Sequence, residues 1–169
     1  LFAPSADGLN EEQWAYWDGG FTDEELETIV KLGDSRPKKY AVVGTKGKYV
    51  EEIRRSLVNF MDDKLLTEHA PFLLDKLSFI CRKLNGSYFE FELSGFHEPF
   101  QYTTYDPSDA YDNDGKIISE DKRIVESQVL PIKKGRVIAF PSWTLHRVTP
   151  VTKGIRKTVV VWVGGPKFK

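Results

Sequence analysis

Apolar residues recur at helical spacing in two stretches of the chain. After Thr22, the positions Leu26, Ile29 and Val30 form one stripe, and Thr22 with Glu25 makes a capping box at its start. Phe21 stands where it can staple onto Leu26, and Gly33 is placed to end the helix. The second stretch runs from Pro71 to Leu84, with Phe72, Leu73, Leu77, Ile80 and Leu84 along the buried side and Asn85-Gly86 as its stop. Elsewhere the period is two. Tyr88 to Leu93 sets Phe89, Phe91 and Leu93 against Tyr88, Glu90 and Glu92, which predicts a half-buried strand. Strands are also expected near Tyr40 to Val43 and over Ile53 to Phe60 and Phe100 to Tyr105. Four more are expected over Val129 to Ile132, Arg136 to Phe140, Leu145 to Val148 and Ile155 to Val163.

Helices in the first half and short strands in the second predict an α+β fold. The expected architecture is a double-stranded β-helix, or jelly roll, with N-terminal helices packed on one sheet. A single domain spans residues 1–169, with helical support over about 1–86 and the β core over about 87–169. Trp14, Tyr16 and Trp17 are too aromatic to remain in water and are expected to dock on the domain.

Composition narrows the function by exclusion. Lys and Arg number 24 against 25 Asp and Glu, for a net charge of −1, and the signs are interspersed. Nucleic acid is therefore not expected as the main partner. A single cysteine, Cys81, rules out an internal disulfide framework and fits a reducing cytoplasm; it reads as a core filler. No membrane span and no signal peptide are apparent, so a cytoplasmic location without a membrane partner is expected.

The densest chemistry lies near the C-terminus. His146 follows a turn-like Pro141-Ser142, and ten positions later Arg156 falls inside the run Ile155 to Val163. A guanidinium directed into such a core is costly unless an anion meets it. Strand alternation puts Arg156, Thr158, Val160 and Trp162 on one face, where Arg156, Thr158 and Trp162 would line one cavity. His146 is a candidate metal ligand, the alternative being an ordinary core or surface histidine. For Arg156 the alternative is a structural ion pair with a buried carboxylate. Tyr105, with Tyr102 as the fallback, offers a phenol that needs a hydrogen-bond partner.

These residues carry a resemblance. The spacing His146, ten residues, Arg156-x-Thr158 resembles the C-terminal half of the iron(II) and 2-oxoglutarate dependent oxygenases. Phe140-Pro-Ser-x-x-x-His146-x-Val-x-Pro-Val151 is similar to the prolyl 4-hydroxylase-like branch found in bacteria and their phages. Ile53-Arg-Arg-Ser56 and Phe100-Gln-Tyr-Thr-Thr-Tyr105 resemble the same branch. The resemblance implies a dioxygenase that couples decarboxylation of 2-oxoglutarate to hydroxylation of a substrate, with Fe(II) as metal and ascorbate as a reductant. It also implies Asp114 and His146 as the iron ligands and catalytic residues, and Tyr105, Arg156, Thr158 and Trp162 as the binders of the oxo acid. The substrate, whether peptide, protein or small molecule, is not implied.

One feature departs from that pattern. Where the family has His-x-Asp, this chain reads Tyr111-Asp112-Asn113-Asp114-Gly115, without the histidine. His69 and His97 do not stand at that spacing and are expected at the surface. The stretch from Asp114 to Gly135 is also short for this family, so residues are expected to be missing between Asp112 and Val129, at Asp112-Asn113 and near Glu120 to Lys122. A chain truly lacking them would favour a catalytically silent jelly-roll module that binds an oxo acid or a peptide. A cupin-like metal protein is a further rival, for which Arg156-x-Thr158 beside Tyr105 has no evident use.

Overall fold

The structure is a computed structural model of the chain, and it describes residues 14–41, 56–107, 129–130, 132–144, 146 and 148–166. In chain order the elements are β1 (Ala15–Trp17), α1 (Asp23–Asp34), β2 (Lys39–Tyr40), β3 (Leu57–Met61), α2 (Asp63–His69) and α3 (Pro71–Leu84). There follow a π-helical turn (Asn85–Phe89), β4 (Gly95–Phe96), β5 (Phe100–Tyr105), β6 (Val137–Ala139), β7 (Arg156–Val160) and β8 (Val163–Gly164). Strands β2, β3, β5 and β7 form one antiparallel sheet in that order, while β1 pairs with β6 and β4 with β8. The protein is α+β, as the pattern predicts. The described strands fall into three antiparallel sheets. Among them, too, no helix is long and apolar enough to cross a membrane.

Both predicted helices form. Thr22 and Glu25 exchange their capping-box bonds, Thr22 N to Glu25 Oε2 at 2.8 Å and Glu25 N to Thr22 Oγ1 at 3.2 Å. Three acids in the first turn and Lys31 in the last suit the helix dipole. Helix α3 begins at Pro71, where a missing N–H costs nothing, and buries Leu73, Leu77, Ile80 and Leu84 at the expected spacing.

One face of the four-stranded sheet is covered by these helices. Register places Met61 beside Phe100, and Asn59 beside Tyr102 beside Val159, on a common face. Met61, Phe100 and Tyr102 join Ile29, Leu66, Ala70, Leu73 and Leu77 in one buried cluster, with Val159 packed against it. Each large apolar side chain removed from water there contributes roughly 1.5–3 kcal/mol. Polar groups at the contact are tied as well: Asn59 Nδ2 donates to Gly33 O at 2.7 Å, and Tyr102 Oη donates to Asp34 Oδ1 at 3.1 Å.

That contact corrects the role of Gly33. The helix does not end there but runs on to Asp34, and Ser35 caps it in an ordinary right-handed conformation. Gly33 is needed because the Tyr102 ring lies against its Cα: a Cβ at that point would stand 2.5 Å from ring carbons.

Several strand expectations are also corrected. Tyr88 to Leu93 is no strand: α3 widens into the π-helical turn rather than stopping at Asn85-Gly86, and Glu90 takes a left-handed conformation with φ 54°. The Asn85 side chain explains this, since its Nδ2 donates to Phe91 O at 2.8 Å and its Oδ1 accepts from Phe91 N at 3.0 Å, taking groups that a ladder would need. The alternating aromatics are satisfied locally, with Phe89 stacked on Phe91 at 6.0 Å. The described residues of Val129 to Ile132 and Leu145 to Val148 are irregular. The last predicted strand divides into β7 and β8, which belong to different sheets. Helix α2 was not anticipated; Asp62 caps it through Leu65 N at 2.8 Å.

Trp17 does dock on the domain, packing against the second buried cluster of Ala15, Ile80 and Leu84, while β1 pairs with β6. Arg54 and Arg55 lie outside the described residues, as do residues 108–128 with Asp114. The expected interruption between Asp112 and Val129 likewise falls on residues outside those described.

Candidate functional site: a polar corner on the face of β5 and β7 away from the helices

Alternation sends the neighbours of the core residues to the opposite face of the sheet. There Tyr105 pairs with Arg156, and Thr103 with both Thr158 and Val58. Antiparallel register thus assembles four side chains at the corners of one cross-strand rectangle: Tyr105, Arg156, Thr158 and Thr103. Its sides are about 4.5–5.5 Å across the pair and about 7 Å along the strands.

Arg156 is the unusual member. Its Cζ lies 5.0 Å from the Tyr105 ring centroid, which holds the guanidinium over an aromatic face. Its Nη1 is buried and has no hydrogen-bond partner among the described residues. A buried N–H donor left empty costs free energy that a carboxylate in the rectangle would offset. The expected alternative, an ion pair with a buried carboxylate, is not seen among the described residues. Thr103 is fully buried, and its Oγ1 accepts from Gln101 Nε2 at 2.9 Å. Thr103 was missed in the sequence, although it stands two residues before Tyr105 and so had to share its face.

His146 sits on the turn that leaves β6. Its Nδ1 is 2.7 Å from Thr144 O, and its ring packs 4.5 Å from that of Phe140. A carbonyl oxygen only accepts, so Nδ1 carries a proton, which in the neutral ring leaves the lone pair on Nε2, the arrangement of a metal-ligating imidazole. The remaining donors are not assembled around it: among the described residues no group of three or more His, Cys, Asp or Glu could hold a metal. Asp114 lies outside them. His69, at the end of α2, is exposed near Glu68, and His97 Nε2 is 2.8 Å from Ser94 Oγ. An anion would therefore meet an unpaired donor at Arg156, whereas among the described residues a metal would find one oriented imidazole and no completed set.

Trp162 lies beyond the end of β7. It helps to line a shallow depression with His97, Glu98, Ser142 and Val163, formed where β8 meets β4. Tyr102, the fallback for Tyr105, faces the helices, and burial together with the Asp34 carboxylate pushes its phenol well above the ordinary range. Cys81 is half-buried, and burial raises its thiol.

No family model matches the chain, and no solved structure matches it. Curated proteins do. A PKHD-type hydroxylase of Paraburkholderia xenovorans is 43% identical over 58 residues, which is 34% of this chain and 24% of the relative. A second, from Burkholderia ambifaria, is 42% identical over 55 residues, 32% of this chain and 23% of the relative. Over these stretches the chain is similar to PKHD-type hydroxylases. A third, from Picosynechococcus, extends the match to 73 residues at 38% identity, 42% of this chain and 32% of the relative. The matched stretch thus spans between about a quarter and a third of each of these PKHD-type relatives.

Proposed function

We propose that this chain is a hydroxylase of the Fe(II) and 2-oxoglutarate dependent kind, built on a jelly roll, whose co-substrate is gripped by Arg156. The buried Nη1 of Arg156, unpartnered among the described residues, carries this reading. Arg156 would neutralise the distal carboxylate of 2-oxoglutarate with two parallel hydrogen bonds, a geometry that lysine does not offer. Thr158 would donate a third bond from the same strand, and the Tyr105 ring would hold the guanidinium plane at the right tilt. Asp114 and His146 are assigned as the metal ligands, His146 through Nε2, with its Nδ1 proton held by Thr144 O. Activation of dioxygen coupled to decarboxylation of the oxo acid is the chemistry that Fe(II) would supply there, with ascorbate as reductant. The names of the PKHD-type relatives support a hydroxylase.

One observation favours a second reading. The sequence has three histidines, and none stands two residues before a carboxylate in the stretch after Tyr105. A chain that kept the oxo-acid grip but lost the metal would be a binding module. Succinate release from 2-oxoglutarate, with Fe(II) and ascorbate added, decides between them. Turnover that disappears in His146→Ala, while oxo-acid binding persists, is the expected result. Binding without any succinate would overturn the enzyme in favour of the module, and absence of binding would overturn both.

A further inference from the structure

The rectangle has a fourth corner that the family resemblance does not use. Thr103 pairs directly with Thr158 and is fully buried, yet its hydroxyl receives a bond from Gln101 Nε2 at 2.9 Å. A hydroxyl has one proton to give and two lone pairs to offer. With one lone pair taken by Gln101, the proton remains to be donated, and the face it shares is that of Arg156, Thr158 and Tyr105. A carboxylate centred between Arg156 and Thr158 lies, by the same register, between Tyr105 and Thr103. Such an anion has about four lone-pair sites, which Arg156 and Thr158 alone leave partly unfilled.

We infer that Thr103 is a specificity-determining residue for a dicarboxylic oxo acid, donating to its distal carboxylate with Gln101 as the positioning residue behind it. This rests on the oxo-acid site proposed above. The consequence is selective: a 2-oxo acid that ends in a methyl group has nothing for Thr103 to meet. Loss of the hydroxyl should weaken the dicarboxylate and leave the monocarboxylate unchanged. A merely structural threonine would move both ligands together.

Equilibrium calorimetry on the metal-free protein, with 2-oxoglutarate and 2-oxobutyrate as probes, tests this without reference to turnover. Thr103→Val keeps the shape and removes the donor, and Thr103→Ser restores it. The expected result is roughly tenfold or greater weakening of 2-oxoglutarate in Thr103→Val, from loss of one bond to a charged acceptor, with 2-oxobutyrate unaltered and recovery in Thr103→Ser. If the wild type binds 2-oxoglutarate, Arg156→Ala destroys that binding and Thr103→Val leaves it intact, the role of Thr103 is overturned while the site stands. Equal weakening of both oxo acids would likewise assign Thr103 to structure. If the wild type binds neither, the site itself fails and Thr103 with it. Should Thr103→Val prove unfolded by its melting curve, Thr103→Ser and Gln101→Leu carry the test. A selective loss of 2-oxoglutarate in Gln101→Leu supports the inference, and wild-type discrimination there overturns it.

Discussion

Arg156 and Lys157 are adjacent cations on one strand, and the sheet treats them in opposite ways. Lys157 points to the helix side, where its Nζ meets Asp34 Oδ2 at 2.5 Å; Asp34 also receives Lys38 at 2.9 Å and the Tyr102 hydroxyl. Arg156 points the other way, over the Tyr105 ring, with Nη1 unanswered among the described residues. The cation on the helix side is tied into the fold by a carboxylate, whereas the cation on the other face has, among the described residues, only an aromatic ring. The difference is not absolute, because Asn59 Oδ1 and Thr104 Oγ1 on the helix side also lack partners among the described residues. Those are neutral groups, however, and an unmet neutral acceptor is far less costly than an unmet charge.

The largest effect that should separate the two faces is on ligand affinity. Arg156→Ala is expected to weaken 2-oxoglutarate by about 2–5 kcal/mol, from thirtyfold to beyond detection, while the melting temperature of the free protein stays level or rises. A large fall in that temperature would mean that Arg156 is structural after all. Gly33→Ala should do the reverse. Its Cβ would collide with the Tyr102 ring, costing about 1–3 kcal/mol of stability in denaturant titration while leaving the oxo-acid site chemically whole. Thr22→Ala removes the cap of α1 and should cost about 1 kcal/mol, again with no selective effect on ligand.

The smallest effect is confined to acid. Burial by itself raises the pKa of Asp34, but hydrogen bonds from Lys157, Lys38 and Tyr102 prevail and bring it down to about 2 from an ordinary 3.8. A carboxyl held low in the folded state contributes stability that is present above its unfolded value and lost as pH falls through the folded one. The protein should therefore lose stability as pH drops from about 4 to about 2, and Asp34→Asn should lack that part of the slope. Equal acid slopes in the two proteins would remove Asp34 from the account.

Much of this arrangement was legible in the sequence, and the failures have causes. The capping box at Thr22 and Glu25 and the stripe from Leu73 to Leu84 are local patterns, and both formed as read. Alternation placed Arg156 and Thr158 together, and register with β5 brought Tyr105 to them. Asn85 defeated the same alternation at Tyr88 to Leu93, because a side-chain amide can capture backbone groups that a period-two pattern assigns to a ladder. Gly33 was given a helix-ending role since nothing local reveals a tyrosine 69 positions later pressing on it. Thr103 was hidden for a similar reason: its meaning comes from the strand beside it.

The central claim is that Arg156 meets the carboxylate of an oxo acid. It is tested most directly by following the side-chain guanidinium signal of Arg156 in nitrogen-edited NMR while 2-oxoglutarate is added, with Arg156→Lys to assign the resonance. The account predicts a saturable shift and slowed proton exchange at Arg156, with no comparable change on adding 2-oxobutyrate. An Arg156 signal that stays fixed while 2-oxoglutarate binds elsewhere, or does not bind at all, would contradict it.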